Sequence, residues 1–246
     1  MKILAFMAHP DDAELLCAGT LVRLRKAGHD IAIATMTSGS CGSATLGPKE
    51  ISDIRRVEAA NSAAVIDADY HCAEIPDLEI VFDNPSRRKA SDILRLTQPD
   101  IVITHYPQDY MYDHDMTSML ARDATFGGTL RNYPTDVDAP PVGQIPYLYY
   151  ASPVDGVNAF GELIEYQFVV DVTSTIETKV EMLACHASQR EWLRAQHGLD
   201  EYIEYMRRET GRMGATGGYD YGEGYCQHLG HPYRHDNIIL ELLGDA

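Results

Sequence analysis

The amino-acid sequence predicts an α/β fold in which a mostly parallel β-sheet is flanked by helices on both faces. Residues 3–8, 30–36 and 100–104 are short, mostly apolar runs, which are typical of strands buried on both faces of a parallel sheet. Stretches with apolar residues at helical spacing lie between these runs. Dense groups of ionisable residues follow the first and the last run, at the strand ends where ligands bind in open α/β sheets.

The length and composition favour one domain. A chain of 246 residues can bury a substantial core, and no repeat or linker divides it. We therefore predict a single domain over residues 1–246, with its core at about 1–130 and additional strands, helices and a Gly-, Tyr- and His-rich tail at about 131–246. The net charge of -17 argues against nucleic acid and anionic membrane surfaces as partners, since both attract Lys and Arg.

Cysteine usage and hydropathy predict a cytoplasmic protein. No apolar run approaches the length of a membrane span, and the N-terminus lacks the small-residue cleavage site of a signal peptide. The 5 cysteines are odd in number and scattered, which fits free thiols in a reducing compartment. A homo-oligomer is compatible with the sequence, which leaves the oligomeric state open.

The remaining elements follow from local patterns taken in chain order. A helix begins near Asp11, directly after the first strand, and Gly28 is its predicted C-cap. The spacing of Ser174 and Glu177 is that of a capping box, which predicts the start of a long helix that includes Ala187. Further helices are predicted at residues 49–66, 86–96, 116–126 and 199–213, and further strands at residues 70–75, 79–82, 147–151 and 167–172.

The first ionisable cluster is His9-Pro10-Asp11-Asp12, with Glu14 close behind. With a helix starting near Asp11, the side chains of His9 and Asp12 flank a tight turn and can converge on one point, and both residue types are good zinc ligands. Asp11 then points elsewhere and suits a general base for a metal-bound water. The alternative is that Asp11 or Asp12 only caps the helix.

The second cluster follows the strand at residues 100–104 and runs from His105 to Asp115. Joined to the first cluster, His114 completes a set of three candidate metal ligands with His9 and Asp12, and three protein ligands plus a water are typical of a catalytic zinc. Asp113 and Asp115 flank His114 and suit a hydrogen-bonding partner for it. A lone histidine is more often structural, so this prediction depends on the two clusters meeting.

Three weaker patterns each allow a functional and a structural interpretation. The small, polar segment 37–43 either lines a pocket or is a plain loop, because the glycine spacing of a phosphate loop is missing. Arg55 and Glu58 lie three residues apart on a predicted helix and can form a surface ion pair. The tail carries His228, His231 and His235, which are a candidate second metal site without a carboxylate partner or fixed helical spacing.

Five segments carry a resemblance to a known family. They are A-H-P-D-D-A-E at residues 8–14, R-x-x-E with an Ala-rich run at 55–64, D-H at 113–114, K-x-x-x-L-x-x-H-x-S-Q at 179–189, and a weak acidic motif at 220–225 that holds Glu223. On these residues the chain resembles, over most of its length, the zinc-dependent N-acetylglucosaminyl deacetylases of the PIG-L, or LmbE-like, family.

The resemblance implies a Rossmann-like α/β fold and a Zn²⁺ hydrolase that removes an N-acyl group, acetyl in the first place, from a small amino sugar or glycoconjugate. By motif position the expected zinc ligands are His9, Asp12 and His114, and the expected catalytic residues are Asp11, as general base, and Asp113. The expected substrate-binding residues are Arg55, Met111, His105 and Tyr112.

One position departs from the family pattern. The family commonly has H-P-D-H where this chain has Met111-Tyr112-Asp113-His114. The first histidine of that motif resembles a proton donor that stabilises the oxyanion, and a methionine thioether donates no proton. Loss of one oxyanion donor typically costs on the order of hundredfold in rate. His105, Tyr112, His228 and His231 are the candidates for the missing role.

Two alternatives accompany the deacetylase interpretation. An amidase that cleaves a sugar–amine conjugate would use the same metal centre with a different pocket. A sugar- or nucleotide-binding module with a vestigial metal site is favoured by Met111 alone. Asp11, an unligated base beside intact ligands, argues against such a module because binding does not need a base.

Overall fold

A sheet of seven strands organises the computed structural model, which describes residues 1–197 and 202–245. The strand order is β3-β2-β1-β4-β5-β7-β6. The strands are β1 (Lys2–Met7), β2 (Asp30–Thr37), β3 (Asp69–Ile75), β4 (Ile101–His105), β5 (Tyr147–Ala151), β6 (Phe168–Asp171) and β7 (Gly222–Gln227).

The sheet is parallel from β3 through β5 and antiparallel only where β7 pairs with β5 and β6. The prediction of a mostly parallel sheet is confirmed. β1 lies between β2 and β4, so the carboxyl ends of β1 and β4 are neighbours at one edge. The order of the strands therefore brings together the two ionisable clusters that lie about a hundred residues apart in the chain.

β1 is buried on both faces, as its apolar run predicts. Ile3 and Met7 pack into one core cluster, whereas Leu4 and Phe6 pack into a second cluster on the opposite face. Since successive strand residues point to opposite faces, an unbroken apolar run requires cover on both sides. Helices supply that cover on each face, and the predicted arrangement of helices is confirmed.

The helices are α1 (Asp12–Leu16), α2 (Ala18–Lys26), α3 (Pro48–Ala64), α4 (Asn84–Thr97), α5 (Tyr112–Gly127), α6 (Ile176–Ala184), α7 (Ala187–His197), α8 (Tyr202–Gly217) and α9 (Ile238–Leu243). Of the helices in the described ranges, none is both long and apolar enough to cross a lipid bilayer. α9 has no counterpart among the predicted elements.

Two differences from the predicted elements affect the N-terminal half. The helix predicted at 116–126 begins earlier, at Tyr112, so Asp113, His114 and Asp115 lie in its first turn, where acidic side chains favour the helix dipole. The strand predicted at 79–82 is wrong. The chain turns away from the sheet after β3, and Leu78 adopts a left-handed backbone conformation with φ 65°.

The long helix predicted from the capping box is also wrong in part. Thr175, not Ser174, is the N-cap residue of α6, and it makes no side-chain capping bond. The helix is interrupted at Cys185 and His186, after which α7 starts. His186 is 1% exposed and its Nε2 lies 3.3 Å from Glu14 Oε1, so the interruption serves a buried contact with α1. Of the helix predicted at 199–213, residues 199–201 lie outside the described residues.

Candidate active site

The candidate ligands His9, Asp12 and His114 come together beyond the ends of β1 and β4. His9 follows β1, Asp12 opens α1, and His114 stands in the first turn of α5. One ligand atom from each lies within 4.8 Å of the others. His9 Nδ1 is 3.4 Å from Asp12 Oδ2, and His114 Nε2 is 3.5 Å from Asp12 Oδ1. All three side chains are buried.

Each histidine in this group has a carboxylate on its far side. His9 Nε2 lies 3.1 Å from Asp113 Oδ2, and His114 Nδ1 lies 3.2 Å from Asp109 Oδ2. With a carboxylate beside the far nitrogen, the near nitrogen is the one that faces Asp12 and is placed to bind a cation, as in metal-binding histidines. Two imidazole nitrogens and one carboxylate oxygen are a donor set that suits zinc. The residues therefore fit the metal that the resemblance implies.

The electrostatics of the cluster fit a cation as well. Burial raises the pKa of Asp12, but the neighbouring His114 and His105 outweigh it and hold that pKa well below its usual range. Burial lowers the pKa of His9, but Asp113 and Asp12 outweigh it and raise the pKa to about 10. The carboxylates thus favour the protonated forms of His9 and His114, and a divalent cation would take the place of those protons, because ligand histidines bind in the neutral form.

His105 lies behind the ligands and away from solvent. It is 0% exposed, and its Nε2 accepts a hydrogen bond of 2.9 Å from the Ala8 backbone N–H. Its ring stacks on His114 with 4.0 Å between centroids. A buried position against a ligand ring suits a residue that holds His114 in place.

Asp11 occupies the N-cap position of α1, but its side chain makes no capping hydrogen bond. Its Oδ2 instead accepts a 2.6 Å hydrogen bond from the Tyr202 hydroxyl and lies 3.5 Å from Arg55 Nη2. Its backbone is left-handed, with φ 97°, a conformation that costs a non-glycine residue on the order of 1–3 kcal/mol and clusters at functional sites. Burial raises the pKa of Asp11 above its usual value, and the charge of Arg55 only partly opposes that rise.

Arg55 is held from both sides. Its Nη2 donates a 2.6 Å hydrogen bond to the Pro10 carbonyl oxygen. The segment 37–43 lies against the guanidinium so closely that a Cβ on Gly39 or on Gly42 would come within 2.5 Å of it. The glycines therefore permit the loop to pack on Arg55. The expected partner Glu58 instead accepts hydrogen bonds from the Ser188 backbone amide and hydroxyl.

A cavity of about 580 Å³ opens beside the cluster. Its walls include six of the residues predicted from the sequence, namely His9, Asp11, Asp12, Arg55, Met111 and His114. Asp113 and His105 lie behind the ligands, and Tyr112 is 65% exposed outside the cavity wall. His228 and His231 line a separate surface depression with Tyr233 and Arg122.

Sequence reasoning missed several residues of this cavity. Tyr202, Tyr205 and Trp192 lie on α7 and α8, far along the chain from the N-terminal motif, and no local pattern connects them to it. Gln189 closes the fourth motif of the family resemblance, which was the available signal. Asp109 was part of the second cluster, but only the tertiary structure shows that it faces His114 and His105.

Comparison with known proteins agrees with this geometry. The family described as "PIG-L: GlcNAc-PI de-N-acetylase" matches residues 4–125, and that part of the chain is a PIG-L family domain. The matched segment contains both ionisable clusters. The prediction of this family is confirmed.

Two curated relatives carry different activities in their names. The chain is 22% identical over 234 residues to the diacetylchitobiose deacetylase of Thermococcus kodakarensis, covering 91% of this chain and 81% of that protein. It is 27% identical over 199 residues to the 4-oxalmesaconate hydratase of Pseudomonas putida, covering 76% of this chain and 73% of that protein.

A solved structure shares the fold. The N,N'-diacetylchitobiose deacetylase from Pyrococcus horikoshii superposes with a TM-score of 0.77 at 24% identity, covering 96% of this chain and 88% of that one. The additional strands and helices beyond residue 130 are therefore part of the shared architecture.

Proposed function

We propose that this PIG-L family chain is a zinc-dependent hydrolase that removes an N-acyl group, acetyl in the first place, from an amino sugar or a small glycoconjugate. His9, Asp12 and His114 would hold the metal, and Asp11 would act as general base. The observation that carries the proposal is the Asp11 carboxylate, which lines the cavity beside the three ligands and has its Oδ2 bound to protein partners.

The chemistry divides between the metal and the side chains. When bound, zinc supplies a Lewis acid that acidifies a water and polarises the amide carbonyl. The other oxygen of Asp11, Oδ1, accepts the proton of the attacking water and returns it to the departing amine. Asp113, which we placed among the catalytic residues, acts through His9, whose far nitrogen it holds. The products are a small carboxylic acid and a free amine.

Substrate contacts follow from the walls of the cavity. Arg55 and Met111 line it and remain our substrate-binding residues, whereas His105 and Tyr112 do not contribute to its wall. The mixture of aromatic and polar walls suits a small neutral molecule such as a sugar. We place the reaction in the cytoplasm, because all five thiols are free.

The test combines metal analysis with an amine-release assay on N-acetylglucosamine and its derivatives. Asp11→Asn and Asp11→Ala should keep stoichiometric zinc and lose turnover, since the base acts on the proton and not on the metal. Asp67→Asn is the matched control, because Asp67 also has a left-handed backbone but its carboxylate is 85% exposed. Full turnover in a zinc-loaded Asp11→Ala protein would reject the base assignment.

A second candidate is the addition of water to an unsaturated acid. It is favoured by the hydratase relative and by Met111, which puts a thioether where the deacetylase pattern has a proton-donating imidazole. Under this alternative Arg55 would face a substrate carboxylate. Loss of the absorbance of a conjugated unsaturated acid, with no amine release from any N-acyl sugar, would select the hydratase.

The amidase and the binding module remain distinguishable in the same panel. An amidase releases amine from a sugar–amine conjugate but not from N-acetylglucosamine. A binding module takes up zinc and turns over neither class.

A further inference from the structure

The side chain of Tyr202 connects the C-terminal helices to the N-terminal motif. Its hydroxyl donates a 2.6 Å hydrogen bond to Asp11 Oδ2 across 191 positions of sequence. The tyrosine is 7% exposed and stands in the first turn of α8. Tyr202 lies outside the segment that matches the family, so the match does not include this partner of Asp11.

The ring of Tyr202 is fixed by apolar packing. It belongs to a small core cluster with Ile176 and Leu183 of α6 and Met206 of α8. A ring held in this way has little rotameric freedom, so its hydroxyl points at one place. Burial, reinforced by the Asp11 charge, raises the pKa of Tyr202 well above its usual value, which keeps the hydroxyl a donor.

The two protein partners of Asp11 meet the same carboxylate oxygen. Tyr202 donates to Oδ2, and Arg55 Nη2 lies 3.5 Å from Oδ2. The carboxylate plane is thereby set, and Oδ1, the other oxygen of the same carboxylate, is the one that we assign to the proton exchange. Neither partner is a metal ligand, so the contact can be altered without changing the donor set of the metal site.

We propose that Tyr202 is a positioning residue that aims the Asp11 carboxylate at the attacking water. The inference rests on the proposed function, in which Asp11 is the general base. A hydrogen bond from a neutral hydroxyl to a charged carboxylate is one of the stronger kinds, and its loss lets the carboxylate rotate away from the productive geometry. The expected signature is a loss in kcat with little change in KM, because the substrate contacts stay in place.

The test is a double-mutant cycle between Tyr202→Phe and Asp11→Ala in the zinc-loaded protein. Tyr202→Phe keeps the ring and should lower kcat by about tenfold to hundredfold, the loss expected for a hydrogen bond to a charged group, with KM and zinc content nearly unchanged. In the Asp11→Ala background the same substitution should cause no further loss of the residual turnover. Tyr233→Phe is the matched control, since Tyr233 is 9% exposed and its hydroxyl pairs with Thr125 away from the cavity.

The free energy of unfolding reports on the contact between Tyr202 and Asp11 independently of activity. The free energies of unfolding of the four proteins should also be non-additive, because the contact exists in the folded state with or without turnover. Unchanged kcat in Tyr202→Phe, or additive effects in both kcat and stability, overturns the inference while leaving the function intact. Full turnover in Asp11→Ala instead overturns the base assignment and, with it, the role of Tyr202.

Discussion

Two buried groups of polar residues contact α1, and they differ in how completely their surroundings satisfy hydrogen bonding. The candidate metal cluster is His9, Asp12 and His114 with Asp11 beside them. The carboxylate–lysine network is Glu223 with its donors Lys179, Thr20, Gly19 and Tyr225. Both groups contain residues that the family resemblance singled out, yet only one of them faces the large cavity.

The carboxylate–lysine network is saturated. Glu223 accepts hydrogen bonds from the Gly19 and Thr20 amides, from the Thr20 and Tyr225 hydroxyls and from Lys179 Nζ. The two amides belong to the first turn of α2, so a carboxylate from β7 caps that helix from a distance. Both carboxylate oxygens of Glu223 accept hydrogen bonds from protein donors, which is typical of a residue with a structural role.

On the cavity side, several buried polar atoms lack a hydrogen-bond partner within the described residues. Asp77 Oδ1, Gln189 Oε1 and Arg55 Nε are buried and find no hydrogen-bond partner within the described residues. Buried polar atoms without partners cost free energy unless a ligand or water completes them. Two charged motifs of one family can therefore be distinguished by whether the buried polar atoms around them find hydrogen-bond partners in the folded protein.

The largest expected effect is on the metal side. Asp12→Ala removes the carboxylate shared by both imidazoles, so we expect loss of bound zinc and a fall in turnover greater than the roughly 10–100-fold typical of an outer partner. Zinc analysis and the amine-release assay measure both. Asp53→Ala, on the exposed face of α3, is the control. Retained zinc and turnover in Asp12→Ala would remove Asp12 from the ligand set.

A substitution in the carboxylate–lysine network should lower the free energy of unfolding and leave turnover nearly unchanged. Lys179→Met leaves Glu223 buried without its cation, which typically costs about 3–5 kcal/mol in the free energy of unfolding. Denaturant unfolding measures this, and kcat of the folded protein should stay near the original value. Lys49→Met, which breaks an exposed ion pair, should cost far less. Adding Glu223→Gln to Lys179→Met should recover part of the loss, and a large fall in kcat at normal stability would contradict the structural role.

An intermediate effect is expected at Asp109, which faces His114 from behind. Asp109→Asn weakens the orientation of that ligand, so zinc affinity should fall by about 10–100-fold. Competition with a chelator of known affinity measures the change. Asp123→Asn, farther along α5 and paired with Arg87, should leave the affinity unchanged. Equal affinities in the two variants would show that His114 does not depend on this carboxylate.

The smallest effect is a pH dependence at the contact between α1 and the end of α6. Burial lowers the pKa of His186, but Glu14 outweighs it and raises that pKa above the ordinary 6.5. The stabilisation of the folded state by protonated His186 is therefore fully present below about pH 6.5 and is lost as the pH rises through the raised pKa. His186→Gln should remove this part of the slope of unfolding free energy against pH.

His71 is a control, because its effect on the pH dependence of stability has the opposite sign. Burial lowers the pKa of His71, so its contribution to stability falls as the pH drops below about 6.5. His71→Gln should change the slope in that lower range and leave the range above it alone. An unchanged slope in His186→Gln would mean that the Glu14 contact carries no proton linkage.

Residues 8–14 illustrate how far local reasoning reaches. The run before His9 is buried on both faces, and His9 and Asp12 bring their ligand atoms close together while the Asp11 carboxylate contacts Tyr202 and Arg55, as their spacing indicates. These features depend on a few successive residues, whose geometry is set by strand and helix periodicity. The helix boundaries near Tyr112 and Cys185 were missed, because side-chain contacts from other elements decide them.

The sequence by itself determined the class of fold, the family and the two clusters that supply the candidate metal ligands, since each of these depends on short segments of adjacent residues. Only the tertiary structure decided which distant groups meet there. Asp113 contacts His9, Tyr202 contacts Asp11, and Glu223 caps α2, all through the order of the strands and the packing of α6 and α8. Contacts of this kind are selected by the packing of whole elements, which local propensity does not encode.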